Sequence, residues 1–238
     1  STNTITWTMT SGTTACDDFF DIGSSDGIVR VDGTSEMDYE TVTSCDITLT
    51  ATSADTSTAT SATISVAISD INDQAPSYSS SDASPSIDEG TTAVETLTVT
   101  DSDTGDVNAC TLAGADSALF ACTVSGDSVS LAFSSAPDYE SAGDADTDND
   151  YIVTLTISDG AQDGSTISYT VTVDDANDQT PTYSGGDTTP SVAEGTTAVD
   201  SFTVVDTDSG DVNACSLGGA DAASFACSVS GDSISIAF

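Results

Sequence analysis

Apolar residues alternate with Thr, Ser and Asp in short runs along most of this chain. Ile5, Trp7 and Met9 alternate with threonines, and so do Leu97 and Val99. Val153, Leu155 and Ile157 keep the same period, as do Ile167, Tyr169, Val171 and Val173. A period of two puts successive side chains on opposite faces of a strand, one buried and one wet. Clusters of Gly, Asp and Ser break the runs every 8–12 residues or so and predict turns. No segment carries a helical period. The pattern predicts an all-β chain, and about seven short strands per 100 residues is the mark of a seven-stranded Ig-like β-sandwich. The tryptophan and disulfide arrangement of antibody domains is missing.

The runs also recur at long range. DINDQAPSY (70–78) returns as DANDQTPTY (175–183), and residues 76–133 align with 181–238 without a gap. In that alignment Glu89 matches Glu194, Asp101 and Asp103 match Asp206 and Asp208, and Phe120 and Phe133 match Phe225 and Phe238. The beginning of the chain is a more diverged copy, with MDYE (37–40) matching PDYE (137–140) and FFDIGSSDGIVRV (19–31) standing where LFACTVSGDSVSLAF (119–133) stands later. Repetition on this scale predicts tandem domains. Residues 1–75 would form one lacking its N-terminal strands, 76–180 a complete one, and 181–238 one lacking its C-terminal strands. The chain opens with Ser1 and shows no signal peptide, so a mature piece or a window of a longer protein is expected. Strands completing the last sandwich would come from continuing chain or from a neighbouring subunit, since open edges and an exposed core invite aggregation.

Charge narrows the partners. Of 238 residues, 40 are Asp or Glu and 1 is Lys or Arg, for a net charge of −39. Phosphate recognition needs clustered bases, so nucleic acid is an unsuitable partner, and anionic membrane surfaces are excluded by the same reasoning. No apolar run approaches the roughly 20 residues of a membrane helix, so no membrane insertion is expected here. Such self-repulsion favours bound cations or a salty environment. There is no His, and Lys is absent too, which removes the usual general bases and predicts a chain that is not an enzyme.

The six cysteines lack a CxxC spacing, and without His they make zinc a weak reading. Disulfides in an oxidising, extracellular compartment fit better. Cys110 shares its parity with Leu112 and Cys122 with Phe120, so both should point inward and join consecutive strands as Cys110–Cys122. Cys215–Cys227 would repeat that bridge, and Cys16–Cys45 would join strands of the first copy. Six buried free thiols are the alternative.

Four acidic motifs recur in a fixed order. They are DINDQAP and DANDQTP (70–76, 175–181), DSDTGDVNA and DTDSGDVNA (101–109, 206–214), DYE (38–40, 138–140), and DEG or AEG (88–90, 193–195). In this order they resemble the signatures of cadherin domains, over essentially the whole chain. The resemblance implies calcium held where two sandwiches and their linker meet. Calcium takes 6–8 oxygens from carboxylates, amide carbonyls, backbone and water. By position, the first junction would use Asp38, Glu40, Asp70, Asn72, Asp73, Asp101, Asp103, the region of Asn108, and Asp159. The second would use Glu89, Asp138, Glu140, Asp175, Asn177, Asp178, Asp206, Asp208 and the region of Asn213. The alternative is a solvated acidic surface, but carboxylates converging on one hinge repel without a cation.

Other readings compete locally. DTG (103–105) and DSG (208–210) resemble the paired aspartic-protease signature, yet they occupy the same place in successive repeats and would not face each other. DADTDND (144–150) has the Asp spacing of a calcium loop but lacks the glycine and distal glutamate of an EF-hand, so a solvated loop is the simpler expectation. Exposed Ser and Thr faces would suit O-linked sugar, since no Asn-x-Ser/Thr sequon occurs. Two functions remain. One is a calcium-stiffened structural repeat of an extracellular filament, stalk or surface fibre, partnered by copies of itself or by further repeats. The other is a calcium-dependent cell-adhesion module binding a protein or glycan. Adhesion by an exchanged tryptophan would need Trp7, which alternation places in a core strand, so the structural role is the expectation.

Overall fold

A computed structural model of the chain describes residues 4–12, 16, 18–33, 36–78, 81–103, 108–209 and 213–238. Among these residues there is no α-helix, and the strands follow the alternating runs. The chain groups into two compact units. One comprises Ser1–Ser79, Thr98–Ala109 and Thr156–Ser165, and the other Ser80–Leu97, Cys110–Leu155 and Thr166–Phe238.

In the first unit, β4 (Ser44–Ser53) pairs antiparallel with β1 (Ile5–Ser11), β5 (Thr58–Thr60) and β6 (Ile64–Ala67). β2 (Phe20–Ile22) and β3 (Val29–Val31) form a separate hairpin. The core gathers Cys16, Phe19, Phe20, Cys45 and Ile47, with Met9, Leu49 and Val66 packed against it. The apolar side of β1 is less covered than its alternation predicts. Trp7 and Met9 are half-buried and Ile5 is 44% exposed. Gly27 lies against the Trp7 indole at φ +68°, where a Cβ would come within 2.7 Å of the ring, so both the backbone and the ring require glycine there.

The second copy supplies β7 (Ser77–Tyr78), β8 (Ser86–Asp88), β9 (Ala93–Thr100), β10 (Ala109–Ala113), β11 (Phe120–Ser125), β12 (Ser128–Phe133), β13 (Asp150–Ser158) and β14 (Asp163–Asp174). They form two four-stranded sheets, ordered β10-β13-β14-β8 and β11-β12-β9-β7. β7 and β8 lie in different sheets, β7 antiparallel to β9 and β8 parallel to β14. Pro85 stands between them. It has no N–H to offer a ladder, and its carbonyl accepts the amide of Thr172 at 3.0 Å. Tyr151 on one sheet meets Phe133 on the other edge-to-face at 5.0 Å, with Phe120 at 6.3 Å. Val153, Leu155, Ile157, Ile167, Tyr169, Val171 and Val173 are buried as alternation predicts. Each such side chain stabilises the fold by about 1.5–3 kcal/mol relative to exposure.

The last copy contributes β15 (Thr182–Ser184), β16 (Ala198–Val205), β17 (Ala226–Ser230) and β18 (Ser233–Ala237) in the order β15-β16-β18-β17, the counterpart of β7-β9-β12-β11. Its Phe225 and Phe238 rings lie 4.6 Å apart, as Phe120 and Phe133 lie 4.2 Å apart. The face that Tyr151 covers in the previous copy here lines an open cleft of about 890 Å³. Residues 214–218, equivalent to β10, form no strand. β10 has β13 as its ladder partner, and extended backbone is not a strand without one.

All six cysteines are bonded, as Cys16–Cys45, Cys110–Cys122 and Cys215–Cys227. The Cys110–Cys122 bridge joins β10 to β11, strands of different sheets. Its two cysteines are only half-buried, because their strands run at the sheet margins. Cys45 lies on β4, but Cys16 lies outside any strand, which corrects the expectation that this bridge joins two strands. Both Cys16 and Cys45 are fully buried.

Cys16→Ser with Cys45→Ser should cost roughly 3–4 kcal/mol from loop-closure entropy, read as a lower urea midpoint for the first unit. An unchanged midpoint would contradict a structural role for the bridge.

Candidate metal centres

In the first unit the linker is anchored by an acid. Asp103 is 8% exposed, and its Oδ2 accepts the amides of Asp73 at 2.8 Å and Gln74 at 2.7 Å. Its own amide donates to Asp101 Oδ1 at 3.1 Å. Glu40, Asp73 and Asp103 each bring a carboxylate oxygen within 4.8 Å of the others. Four further oxygens are buried yet accept no hydrogen bond: Asp101 Oδ2, Asp103 Oδ1, Asn108 Oδ1 and Asp159 Oδ2. Buried oxygens without donors are costly unless something positive meets them.

The second unit repeats the device. Asp208 Oδ2 accepts the amide of Gln179 at 2.8 Å, and the amide of Asp208 reaches Asp206 Oδ1 at 3.3 Å. Glu89, 7% exposed, takes the amide of Tyr139 on Oε2 at 2.7 Å and that of Ala176 on Oε1 at 2.9 Å. It thereby ties the PDYE turn to the linker. Glu89, Glu140 and Asp175 form one group of converging carboxylates, and Glu140, Asp178 and Asp208 form another. Glu140 belongs to both, and both its oxygens are buried without a hydrogen bond, as are Asp175 Oδ1 and Asp208 Oδ1.

Protonation reflects this crowding. Burial raises the Glu140 carboxyl above its ordinary value, against a backbone hydrogen bond, and the carboxylates of Glu89, Asp175 and Asp208 raise it further. Glu40 is pulled down by a hydrogen bond from its own backbone. Desolvation, Asp38 and Asp103 outweigh that and push it up to about 7. Asp38 is lowered by the Thr41 hydroxyl first, Asp159 by the amide of Gln162, and Asp175 by Ser209.

Several expected ligands stand outside these carboxylate groups. Asp38 accepts the amide of Glu40 at 3.0 Å and the Thr41 hydroxyl at 2.8 Å, and Asp138 accepts the amide of Ser141 at 3.1 Å. Both shape the turn that presents the following glutamate. Among the described residues Asp70, Asp101, Asp159 and Asp206 join no such group, while Asn72 and Asn177 sit in the linkers and Asn213 is half-buried beyond the second. Thr104, Gly105 and Gly210 of the DTG and DSG triplets lie outside the described residues, and Asp103 and Asp208 each serve their own linker. Asp116 escaped the sequence reading. It is 4% exposed and accepts the amides of Ala145 at 2.9 Å and Ile152 at 2.7 Å. Its one signal was the recurrence of GAD at 114–116 and 219–221.

No protein-family model and no curated protein matches the sequence. Solved structures do match. Protocadherin Gamma B2 extracellular cadherin domains 3-6 align at TM-score 0.56 and 21% identity, over 98% of this chain and 57% of that one. The Protocadherin gammaB7 EC3-6 cis-dimer structure aligns at 0.57 and 21%, over 100% and 58%. Human CDH23 EC21-23 aligns at 0.61 and 20%, over 87% and 70%. The chain folds like tandem cadherin extracellular domains. At these identities the likeness is one of fold, and the chain spans between 37% and 58% of the matching protocadherin chains. The motif resemblance and the cadherin-like fold thus agree. Among the described residues no helix is long and apolar enough to cross a membrane.

Metal-free stability should depend on pH with a definite sign. Glu40 is raised in the fold from 4.5 to about 7, so its contribution is present below its unfolded value and is lost as pH rises through about 7. Asp38, Asp159 and Asp175 are lowered from 3.8, so theirs is present above that value and is lost as pH falls below it. Thermal midpoints of chelator-stripped protein should therefore peak near about pH 4.5–6 and fall through pH 7, and excess divalent cation should abolish the fall. A flat metal-free profile from about pH 5 to 8 would contradict it.

Proposed function

We propose that the chain is a calcium-stiffened structural repeat of an extracellular filament, stalk or surface fibre, with domains at 1–75, 76–180 and 181–238. The observation that carries this reading is the set of buried carboxylate oxygens without donors beside both linkers. Every donor in that set is an oxygen, which suits a hard cation such as Ca²⁺ and gives soft metals nothing to bind. Glu40, Asp73, Asp103, Asp101, Asn108 and Asp159 would hold ions at the first linker. Glu89, Glu140, Asp175, Asp178 and Asp208 would do so at the second. With the charges neutralised, each linker is clamped between its flanking copies. Without them, like charges push the clamp open. The paired cysteines fit an oxidising extracellular site, and the role is mechanical rather than catalytic. Partners would be further repeats or copies of the chain. Trp7 packs on Gly27 within the first copy, which disfavours adhesion by an exchanged tryptophan.

Electron microscopy of the native material should show straight rods with calcium and bent, flexible ones in excess chelator. Asp103→Asn should loosen the first linker alone, and Asp208→Asn the second. Rods that stay stiff in chelator would refute calcium as the stiffening agent.

A further inference from the structure

Outside both linker groups, DADTDND (144–150) leads into β13. A solvated acidic loop would turn its carboxylates to water. Here Asp144 is 5% exposed, and Asp144, Asp146 and Asp148 bring carboxylate oxygens within 4.8 Å of one another. Asp144 Oδ2 accepts the amide of Asp148 at 3.0 Å, while its Oδ1 is buried with no hydrogen-bond donor. Asn149 Oδ1 is likewise buried without a donor, although its Nδ2 donates to the carbonyl of Tyr139 at 3.0 Å.

The loop is held in this shape from outside. Asp116 binds the amides of Ala145 and Ile152, the Tyr151 hydroxyl accepts the amide of Gly143 at 3.0 Å, and the carbonyl of Asn149 accepts the amide of Val173 at 2.9 Å. Burying an ionised carboxylate beside two others is costly, and a positive partner relieves that cost. The chain has one basic side chain, Arg30, and it is paired with Asp26 at 2.7 Å. Any cation that meets Asp144 therefore comes from solution.

We infer that residues 144–150 form a further divalent-cation site, taking calcium on Asp144, Asp146 and Asp148, separate from the linker sites. Carboxylates at alternate positions of a tight loop match the opening half of an EF-hand loop. No distal bidentate glutamate closes the set, so binding should be weak, with Kd on the order of 10⁻⁴–10⁻³ M as in extracellular modules. The site would brace the entry to β13 rather than a linker.

The test uses the whole chain and calcium alone. Asp146→Asn with Asp148→Asn changes two exposed side chains and leaves Asp144 and Asp116 in place. Equilibrium dialysis should find one bound calcium fewer in this variant. Amide signals at positions 146–150 should lose their calcium-dependent shifts, while those of Asp73 and Asp178 keep theirs. Calcium-sensitive amides at 146–150 with silent linkers would sink the linker reading and leave this site standing. Unchanged stoichiometry, or loop amides indifferent to millimolar calcium in the unsubstituted chain, would overturn the site.

Discussion

With 40 acidic side chains against one arginine, the fold has no positive charge of its own to spend on buried carboxylates. Each must lean on backbone amides or on ions from solution. The buried acids sort into two kinds by this constraint. Glu89 and Asp116 have both oxygens occupied by amides, although Glu89 also converges with Glu140 and Asp175. Asp103, Asp159, Asp208 and Asp144 use one oxygen on amides and leave the other buried and bare. The first kind ties loops together. The second kind ties a loop and presents charge at the same time, which suits a cation site whose ligands are positioned before the ion arrives.

The sandwich makes that arrangement possible by bringing distant turns to one end of a copy. Asp103 follows β9 by a few residues and meets the linker before β7, although about thirty residues separate them in sequence. Glu89 follows β8 directly and reaches Ala176, 87 residues on, because β8 runs parallel to β14 and both chains leave the sheet side by side. The sheet switch between β7 and β8 therefore has a purpose at the linker. β7 beside β9 brings Asp103 to the first linker, and β8 beside β14 brings Glu89 to the second. Behind this stand the aromatic contact across the sheets and the Cys110–Cys122 bridge, which hold the two layers that carry these turns.

Much of this was legible in the residues themselves. Period two with threonine partners determined the strands, because alternation is a local property that needs no knowledge of neighbours. The recurrence at 70–78 and 175–183 and the ordered acidic motifs determined the tandem plan and which carboxylates to suspect, and parity together with the repeat led to Cys110–Cys122 and Cys215–Cys227. What tertiary structure alone decided was the work of each acid. Asp38 and Asp101 look alike on paper, but Asp38 spends its oxygens on its own turn while Asp101 keeps one buried and bare. Asp116 and Asp144, set among dozens of similar residues, gained their importance only from burial. A carboxylate's role depends on which donors reach it and whether water does, and those partners come from segments far away in the chain.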